Sequence, residues 1–454
     1  MSFPAYPAYK DSGVDWLGEI PEGWSIKPLW ALFRRHKLTG FPDEQLLSVY
    51  RDYGVIPKAS RDDNFNKPSD DLGAYQLVQV GDLAINKMKA WQGSVGISSY
   101  KGIVSPAYHV YAPSHSEAPQ YLHHLFRCNE YIAGYLANSK GIRVNQWDLE
   151  PQQHSRMPVL LPSFQEQTQI ARFLDHETAR IDALIEEQQR LIELLKEKRQ
   201  AVISHAVTKG LDPTVPMKDS GVEWLGEVPA HWKVSKLGHY AQILTGFPFP
   251  SASFSHDESD VRLLRGANIG VGSLKWIDTV YWELNEGDEL SSYLMTEGQI
   301  VLGMDRPWIS EGMRIARVTQ DDMPCLLLQR VAAITPNAGL NDEYLYCLLA
   351  SELFKAYVEP DLTGVSVPHI SPEQILSFQI PVPHIDEQRK ISRFIKDQLD
   401  QMSALFQQAS ESVVLLQERR AALISAAVTG KIDVRGWQPP ASTQAPKLEV
   451  AEAD

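Results

Sequence analysis

The sequence predicts a mixed α/β (α+β) protein in which two globular domains are separated by a pair of long antiparallel coiled-coil helices, with an internal pseudo-twofold repeat. Three observations predict this fold. The segment KDSGVDWLGEIPEGW (10–24) returns without a gap as KDSGVEWLGEVPAHW (218–232). Late in each half, LPSFQEQTQIARFL (from 161) and VPHIDEQRKISRFI (from 382) begin a second gapless repeat of about fifty residues. The stretches between these repeats differ from each other and contain short strand-like runs.

These observations divide the chain into seven segments. In order, they are an N-terminal opening segment (1–29), a first globular domain (30–160), a first long helix (161–209), a linker with the repeated opening segment (210–237), a second globular domain (238–380), a second long helix (381–433) and a tail (434–454). The tail is polar and rich in proline, so we expect it to be disordered.

Composition restricts the class of protein. With 454 residues, 43% of them hydrophobic, the chain can bury two or three cores of ordinary size. It contains no apolar run of the roughly 20 residues that a membrane span requires, and its N-terminus lacks a signal-peptide pattern, so we expect a cytoplasmic protein with no membrane partner. The three cysteines are far apart in sequence, which favours buried free thiols over disulfides or a zinc site.

The two late repeats predict long helices that pack on each other. Apolar residues recur at alternating steps of four and three, which is the heptad pattern of a coiled coil. The first seam contains Ile170, Leu174, Ile181, Leu184, Leu191, Leu195 and Val202, and the second contains Ile391, Ile395, Met402, Leu405, Leu416 and Leu423. Ser163 and Glu166 have the spacing of a capping box at the start of the first helix. The alternative is two separate amphipathic helices, each packed on its own domain, but the matched length and register favour antiparallel packing against each other.

The two middle stretches share landmarks although they differ overall. GDLAINKMKAW (81–91) aligns with GQIVLGMDRPW (298–308), and each has a glycine turn, a short apolar strand and a basic residue two positions before a tryptophan. Strand-like runs, helical stretches and a glycine-containing loop follow in both halves. Each middle is therefore predicted to be a small domain of mixed α and β structure.

Several of these motifs together resemble the specificity subunit of type I restriction-modification systems. They are DSGVDWLGEIPEGW, TGFPFPSASF, LLRGANIGVGSLKW, TGVSVPHIS and the duplicated helix openings LPSFQEQTQIARFL and PVPHIDEQRKISRFI. The resemblance covers nearly the whole chain. It implies two target-recognition domains, each of which reads one half of a split double-stranded DNA target, and helices that set the half-site spacing and dock the modification subunits. The expected partners are modification subunits in two copies, which methylate adenine-N6 with S-adenosylmethionine, and restriction (motor-nuclease) subunits, which use ATP and magnesium.

The sequence contains no motif for catalysis on this chain. It has no GxxxxGK[ST] phosphate loop, no glycine-rich strand-turn-helix for a cofactor and no Asn-Pro-Pro-aromatic motif of an adenine methyltransferase. We therefore expect a non-catalytic subunit that binds no cofactor and no metal itself. An alternative is a coiled-coil scaffold that joins partners without reading DNA; the divergence of only the middle stretches is evidence against it. A self-sufficient enzyme would require a cofactor motif that the sequence lacks.

The candidate site residues lie in the matched loops and in the repeated segments. DNA-binding candidates are cations, amides, a hydroxyl and aromatic rings, which can contact phosphates and base edges. They are Lys87, Lys89, Trp91, Arg143, Asn145 and Gln146 in the first domain, and Arg265, Asn268, Arg306, Trp308, Arg330, Ser366 and His369 in the second. Core positions for Trp91 and Trp308, and an internal ion pair for Arg330, are the alternatives. The partner-binding candidates are Trp16, Trp224, Glu166, Gln167, Glu387 and Gln388.

The charge distribution is unusual for a DNA-binding protein. The chain has a net charge of −14, and residues 238–383 contain 8 basic against 19 acidic residues, whereas residues 30–161 contain 14 against 12. A non-specific DNA binder is basic, because phosphate neutralisation supplies most of its affinity. We therefore expect the isolated subunit to bind DNA weakly and to depend on partners for phosphate contacts.

Overall fold

The computed structural model describes residues 3–51, 53–61, 67–143, 146–310, 312–362 and 368–440. The chain divides into two compact units: unit 1 comprises residues 1–189 and 411–454, and unit 2 comprises residues 190–410. Each of the two long helices contributes one part to unit 1 and the other part to unit 2. Each opening segment belongs to the same unit as the globular domain that follows it.

The described residues form eight α-helices, of which two are much longer than the rest. They are α1 (Pro119–Arg127), α2 (Asn129–Ala137), α3 (Pro151–Arg156), α4 (Phe164–Lys209), α5 (Asp342–Leu349), α6 (Glu352–Val358), α7 (Pro372–Ser377) and α8 (Ile385–Val428). None of the helices in the described part of the chain is both long and apolar enough to cross a membrane.

Unit 1 is built around a four-stranded antiparallel sheet. The strands of unit 1 as a whole are β1 (Tyr9–Asp11), β2 (Glu19–Pro21), β3 (Ser25–Pro28), β4 (Phe33–His36), β5 (Leu47–Tyr50), β6 (Gly54–Pro57), β7 (Gln76–Val78), β8 (Leu83–Asn86), β9 (Val95–Ile97), β10 (Gly102–Val104), β11 (Tyr108–Pro113), β12 (Ser139–Arg143), β13 (Gln146–Leu149) and β14 (Pro158–Leu161). The central sheet has the order β4-β11-β8-β9, and β1-β2, β3-β14, β5-β6, β7-β10 and β12-β13 form two-stranded pairs. The main core of unit 1 contains side chains of this sheet, of α1 and α2, and of the adjacent parts of α4 and α8.

Unit 2 repeats this construction and adds a second small sheet. Its strands are β15 (Met217–Asp219), β16 (Glu227–Pro229), β17 (Lys233–Lys236), β18 (Ala241–Thr245), β19 (Val261–Leu264), β20 (Tyr281–Trp282), β21 (Ile300–Gly303), β22 (Trp308–Ile309), β23 (Gly312–Met313), β24 (Ile315–Arg317), β25 (Cys325–Leu327), β26 (Val331–Pro336) and β27 (Gln379–Val382). The central order β18-β26-β21-β24 matches that of unit 1, whereas the sheet β20-β19-β25 and the hairpin β22-β23 differ. The mixed α/β class and the repeated architecture are thus confirmed.

The long helices run antiparallel beside each other within each unit. In unit 1, Leu174 near the start of α4 shares a buried core with Val428 at the end of α8. The Arg420 guanidinium of α8 binds the Asp182 carboxylate of α4 through two hydrogen bonds of 2.7 and 3.1 Å. In unit 2, Ile203 of α4 shares a core with Ile395 of α8. The predicted helix pair is confirmed, although the ends of both helices also pack on the globular domains.

Part of the predicted seam is less buried than a coiled coil requires. Leu184, Leu191 and Leu405 are 40%, 39% and 50% exposed. The knobs-into-holes packing of a coiled coil is therefore incomplete at these three positions.

Val434 and Trp437, which we expected to belong to the tail, pack on unit 1. Val434 is buried, and the Trp437 ring packs against Phe173 with a centroid distance of 5.3 Å. These residues belong to the core of unit 1 because α8 ends at Val428 and the chain then returns over the start of α4. Residues 441–454 lie outside the described part of the chain.

The three cysteines are buried free thiols, as predicted. Burial raises the pKa of Cys325 and of Cys347 to about 12, so both thiols stay protonated at neutral pH.

Candidate nucleic-acid interface

The repeated opening segment ends in a tryptophan that links the two long helices. The indole N–H of Trp24 donates to the carboxylate of Glu166 at 3.0 Å, and that of Trp232 donates to Glu387 at 3.0 Å. Both tryptophans are almost completely buried. We call each tryptophan–glutamate pair a helix-end clamp, because the glutamate lies at the start of one long helix and the ring also packs on a residue within two positions of the end of the other.

That residue is a glycine in both units. Gly430, after α8, packs on Trp24, and Gly210, after α4, packs on Trp232; a Cβ atom at either glycine would lie 3.2 Å from the ring. Both glycines have positive φ angles, +76° and +74°, as is usual for the residue that ends a helix.

The glutamines that follow the clamp glutamates also form hydrogen bonds within their own units. Gln167 and Gln388 are fully buried. The Gln167 amide accepts from the Ala118 N–H at 2.9 Å and donates to the Pro162 carbonyl at 3.0 Å. The Gln388 amide does the same with the Asn341 N–H at 2.7 Å and the Pro383 carbonyl at 2.9 Å.

Only half of the predicted capping box forms. The Glu166 N–H donates to the Ser163 hydroxyl at 3.3 Å, but the Glu166 carboxylate accepts from the Trp24 indole and, at 2.6 Å, from the Tyr6 hydroxyl. Burial and this hydrogen bond raise the pKa of Tyr6 far above its usual value. The carboxylate is therefore recruited by tertiary contacts rather than by its own helix.

Two more matched pairs complete the helix-end contacts. Trp16 packs edge-on against Tyr131 at 5.2 Å, and Trp224 packs against Tyr357 at 5.0 Å. All six partner-binding candidates thus make contacts within their own unit, and their role toward a partner stays a prediction.

A pair of buried tyrosines at the same helix ends was missed by the sequence analysis. The Tyr121 hydroxyl contacts the carbonyls of Leu160 at 3.1 Å and Val428 at 3.4 Å. The Tyr344 hydroxyl contacts those of Pro381 at 3.1 Å and Val207 at 3.2 Å. The available signal was a Tyr-Leu pair in each helical stretch, YLHHLF and YLYCLL.

In unit 1 the structure brings the two predicted loops together. The turn after β8 contains Lys87, Lys89 and Trp91, and it meets the hairpin β12-β13, on which Arg143 and Gln146 are placed. The Trp91 ring lies 5.4 Å from the Trp147 ring, and the Lys87 ammonium lies 3.4 Å from the Asp148 carboxylate. Lys89 is exposed.

The tryptophan of this turn is half-buried, between the two alternatives considered for it. Its indole N–H donates to the Met88 carbonyl at 3.1 Å. The side chains of Arg143 and Gln146, and all of Asn145, lie outside the described residues. Trp147 and Asp148 were not predicted, because only the fold of the hairpin shows that they face the turn after β8.

Unit 1 also contains two buried histidines, His109 on β11 and His154 on α3. Burial lowers the pKa of His154 to about 3, and its ring nitrogen lies 2.9 Å from the Tyr111 hydroxyl. Burial and the nearby Arg35 guanidinium lower the pKa of His109 to about 4. Both imidazoles are therefore neutral at pH 7 and add no positive charge to the surface.

In unit 2, two of the predicted residues contact one carboxylate, and a third follows it in the chain. The Asp305 carboxylate lies 2.9 Å from the His369 ring and 3.9 Å from the Arg330 guanidinium. The Arg306 N–H donates to the Pro368 carbonyl at 2.7 Å, and the exposed Arg306 side chain starts from a left-handed backbone with φ of 45°. The ion pair considered for Arg330 is present, yet its side chain remains 56% exposed. Ser366 lies outside the described residues.

Two other predicted residues of unit 2, Arg265 and Asn268, lie in a neighbouring turn. Asn268 is fully buried, and its amide accepts from the Arg265 N–H at 3.0 Å and donates to the Lys275 carbonyl at 3.0 Å. Arg314, which was not predicted, connects this turn to the carboxylate cluster: it donates to the Ile269 carbonyl at 3.0 Å and to the Asp305 carbonyl at 3.3 Å.

Trp308 occupies a half-buried position beside these elements. The Lys355 ammonium lies 4.5 Å from the centre of its ring, which is a cation–π distance. Within the described residues, no group of three or more His, Cys, Asp or Glu side chains is arranged to hold a metal ion.

Comparison with known proteins identifies sequences and structures that are similar to this chain. Residues 229–413 match the family described as the type I restriction modification DNA specificity domain. The chain is 27% identical over 300 residues to the type I restriction enzyme MjaVIII specificity subunit of Methanocaldococcus jannaschii, which covers 66% of this chain and 67% of that protein. It is 31% identical over 205 residues to the EcoAI specificity subunit of Escherichia coli, which covers 45% of this chain but only 34% of the relative.

A solved structure shares the fold along nearly the whole chain. It comes from a study of complex assembly and conformational transition of the type I R-M system, and the match has a TM-score of 0.62 at 18% identity, covering 90% of this chain and 98% of that chain. The chain is therefore similar in sequence to specificity subunits of type I restriction-modification systems, and it shares its fold with a chain of such a system.

Proposed function

We propose that this chain is the non-catalytic DNA-recognition subunit of a type I restriction-modification complex, and that each unit reads one half of a bipartite target. The proposal rests on one observation: the two units share a common framework but carry different loops on it. Sheet order and helix-end clamps are the same in both units, whereas the loops placed on them differ: a hairpin with Trp147 in unit 1 and the Asp305 cluster in unit 2. Two different readers at a fixed separation recognise an asymmetric, split sequence.

The exposed cations of these loops are the proposed points of contact with DNA. Lys89 in unit 1 and Arg306 and Arg330 in unit 2 can bind phosphate, and an arginine can also bind the O6 and N7 atoms of guanine with two hydrogen bonds. The Lys87 ammonium forms an ion pair with the Asp148 carboxylate, which fixes the position of the lysine side chain in the loop. The other DNA-binding candidates of the two loops remain part of this proposal.

The partners follow from the same proposal. Two modification subunits, which use S-adenosylmethionine, dock near the clamps and the long helices, and restriction subunits, which use ATP and magnesium, join the complex. These partners neutralise most of the phosphates, since the globular domain of unit 2 is strongly acidic. The isolated chain therefore binds DNA weakly and the complete complex binds it tightly.

The direct test is a genome-wide map of adenine methylation in cells with and without this gene. We expect a split motif with a fixed gap to lose its methylation when the gene is deleted. Unchanged methylation in cells with an active modification partner would favour the scaffold alternative.

A domain exchange tests the assignment of one reader to each half-site. Residues 238–380 are replaced by the corresponding segment of another specificity subunit, and residues 30–160 are exchanged in a matched control. We expect each exchange to alter a different half of the methylated motif; a change in both halves after one exchange would contradict the two-reader arrangement.

A further inference from the structure

The two long helices differ at one pair of matched positions near their starts. Their gapless alignment puts Phe394 of α8 where Phe173 stands in α4. Phe173 is fully buried, whereas Phe394 is 40% exposed. This difference in exposure between matched positions indicates that other residues cover Phe173 in unit 1 and that Phe394 lacks such a contact in unit 2.

In unit 1, aromatic rings from both ends of the chain cover Phe173. Trp437 packs edge-on against it at 5.3 Å, and Phe3 packs edge-on at 5.1 Å. Trp437 also contacts the His176 ring at 5.2 Å, and the Gln169 amide donates to the Trp437 carbonyl. Gln169, Phe173 and His176 thus form the contact surface for Trp437.

In unit 2, the same three positions line an open cavity. Lys390, Phe394 and Asp397 stand where Gln169, Phe173 and His176 stand in unit 1, and together with Arg389 and Arg393 they surround a cavity of about 300 Å³. The connection that corresponds to the two chain ends is LDPTVPM (211–217), which contains no aromatic residue. Within the part of the chain that the structure describes, the surface that Trp437 occupies in unit 1 is therefore open in unit 2.

The cavity in unit 2 carries charged side chains where the matching surface of unit 1 has Gln169 and His176. Lys390, Arg393 and Arg389 are exposed, and Arg389 contacts the Asp386 carboxylate at 3.2 Å. Lys390 replaces the neutral Gln169, so its ammonium favours a carboxylate where Gln169 binds a carbonyl. Asp397 replaces His176 and offers an acceptor to an indole N–H or a phenol O–H, as Glu166 does to Trp24.

We propose that the cavity around Phe394 receives a tryptophan or tyrosine side chain of a modification subunit, in a segment that also carries carboxylates. This inference rests on the proposed function, because it assumes that such a partner binds the chain. The partner would supply to unit 2 the aromatic ring that unit 1 supplies to itself. The two units therefore bind their modification subunits through different contacts at this position.

The test uses the full-length chain with its modification subunit and a photo-crosslinking phenylalanine analogue, benzoylphenylalanine, at position 394. Leu284, which is 41% exposed in the globular domain of unit 2, is the control position. We expect a crosslink from position 394 to a partner segment that contains an aromatic and at least one acidic residue, and no crosslink to that segment from position 284. A crosslink to residues 441–454, to a second copy of this chain or to a partner segment without these residues would overturn the inference.

Affinity measurements separate this inference from the proposed function. Phe394→Ala and Arg393→Glu should each weaken binding of the modification subunit about tenfold, whereas Leu284→Ala should not. If the wild-type chain fails to bind the modification subunit, the proposed function falls and the inference with it. If the wild type binds and both variants bind equally well, the inference alone falls.

Discussion

Replacing Gly430 by alanine should destabilise unit 1 more than the matched change Gly210→Ala destabilises unit 2. Both glycines have φ near +75°, so an alanine costs about 1–2 kcal/mol of backbone strain at either position. At Gly430, however, the new Cβ would also lie 2.4 and 2.5 Å from two ring carbons of Pro21, whereas the nearest atom at Gly210 is 3.2 Å away. Since a proline ring cannot rotate away, overpacking adds about 1–3 kcal/mol.

The expected loss of free energy is therefore about 2–5 kcal/mol for Gly430→Ala and about 1–2 kcal/mol for Gly210→Ala. Amide hydrogen exchange followed by mass spectrometry measures the opening of each unit separately in the full-length protein, so a two-state assumption for the whole chain is unnecessary. A difference of about 2 kcal/mol corresponds to roughly thirtyfold faster exchange. Gly436→Ala, with no atom within 4 Å, is the control and should change nothing. Equal effects of Gly430→Ala and Gly210→Ala would refute the role given to Pro21.

Three other predictions follow from the contacts described above. Trp24→Phe and Trp232→Phe each remove an indole donor to a half-buried carboxylate, and each should cost its unit about 1–3 kcal/mol in the same exchange measurement. An unchanged exchange rate would show that the hydrogen bond is not stabilising. Acidification should destabilise unit 1, because His154 has a folded pKa of about 3 against an unfolded value near 6.5, so the unfolded state binds more protons as the pH falls below 6.5. The loss should reach about 2 kcal/mol at pH 5, measured by urea unfolding at pH 7.5 and 5.0, and His154→Phe should flatten this dependence. Lys89→Ala and Arg306→Ala should weaken DNA binding by the complete complex and reduce the slope of log affinity against log salt by about one, whereas Lys101→Ala, at a lysine paired with Glu44, should change neither quantity.

The repeats and the long helices were accessible from the sequence because their signals are local. Heptad spacing around Ile170 and Ile391 predicts helices that extend to within a few residues of their observed ends, and the glycines after them predict where they stop. The loops that approach each other in unit 1 were predicted as separate motifs. Their meeting through Trp91 and Trp147 was not, because it depends on the hairpin β12-β13 folding over the turn after β8.

The sequence by itself determined that one frame is used twice with two different readers, since gapless repetition and divergence are visible in the letters alone. It also identified Glu166 and Glu387 as a duplicated motif, but it did not give their partners. Only the tertiary structure decided that these carboxylates bind Trp24 and Trp232, more than 140 residues away, and that Phe173 is covered while Phe394 is open. The reason is physical: periodicity reports which face of an element is apolar, whereas the identity of the residue that covers that face depends on how distant segments of the chain pack in three dimensions.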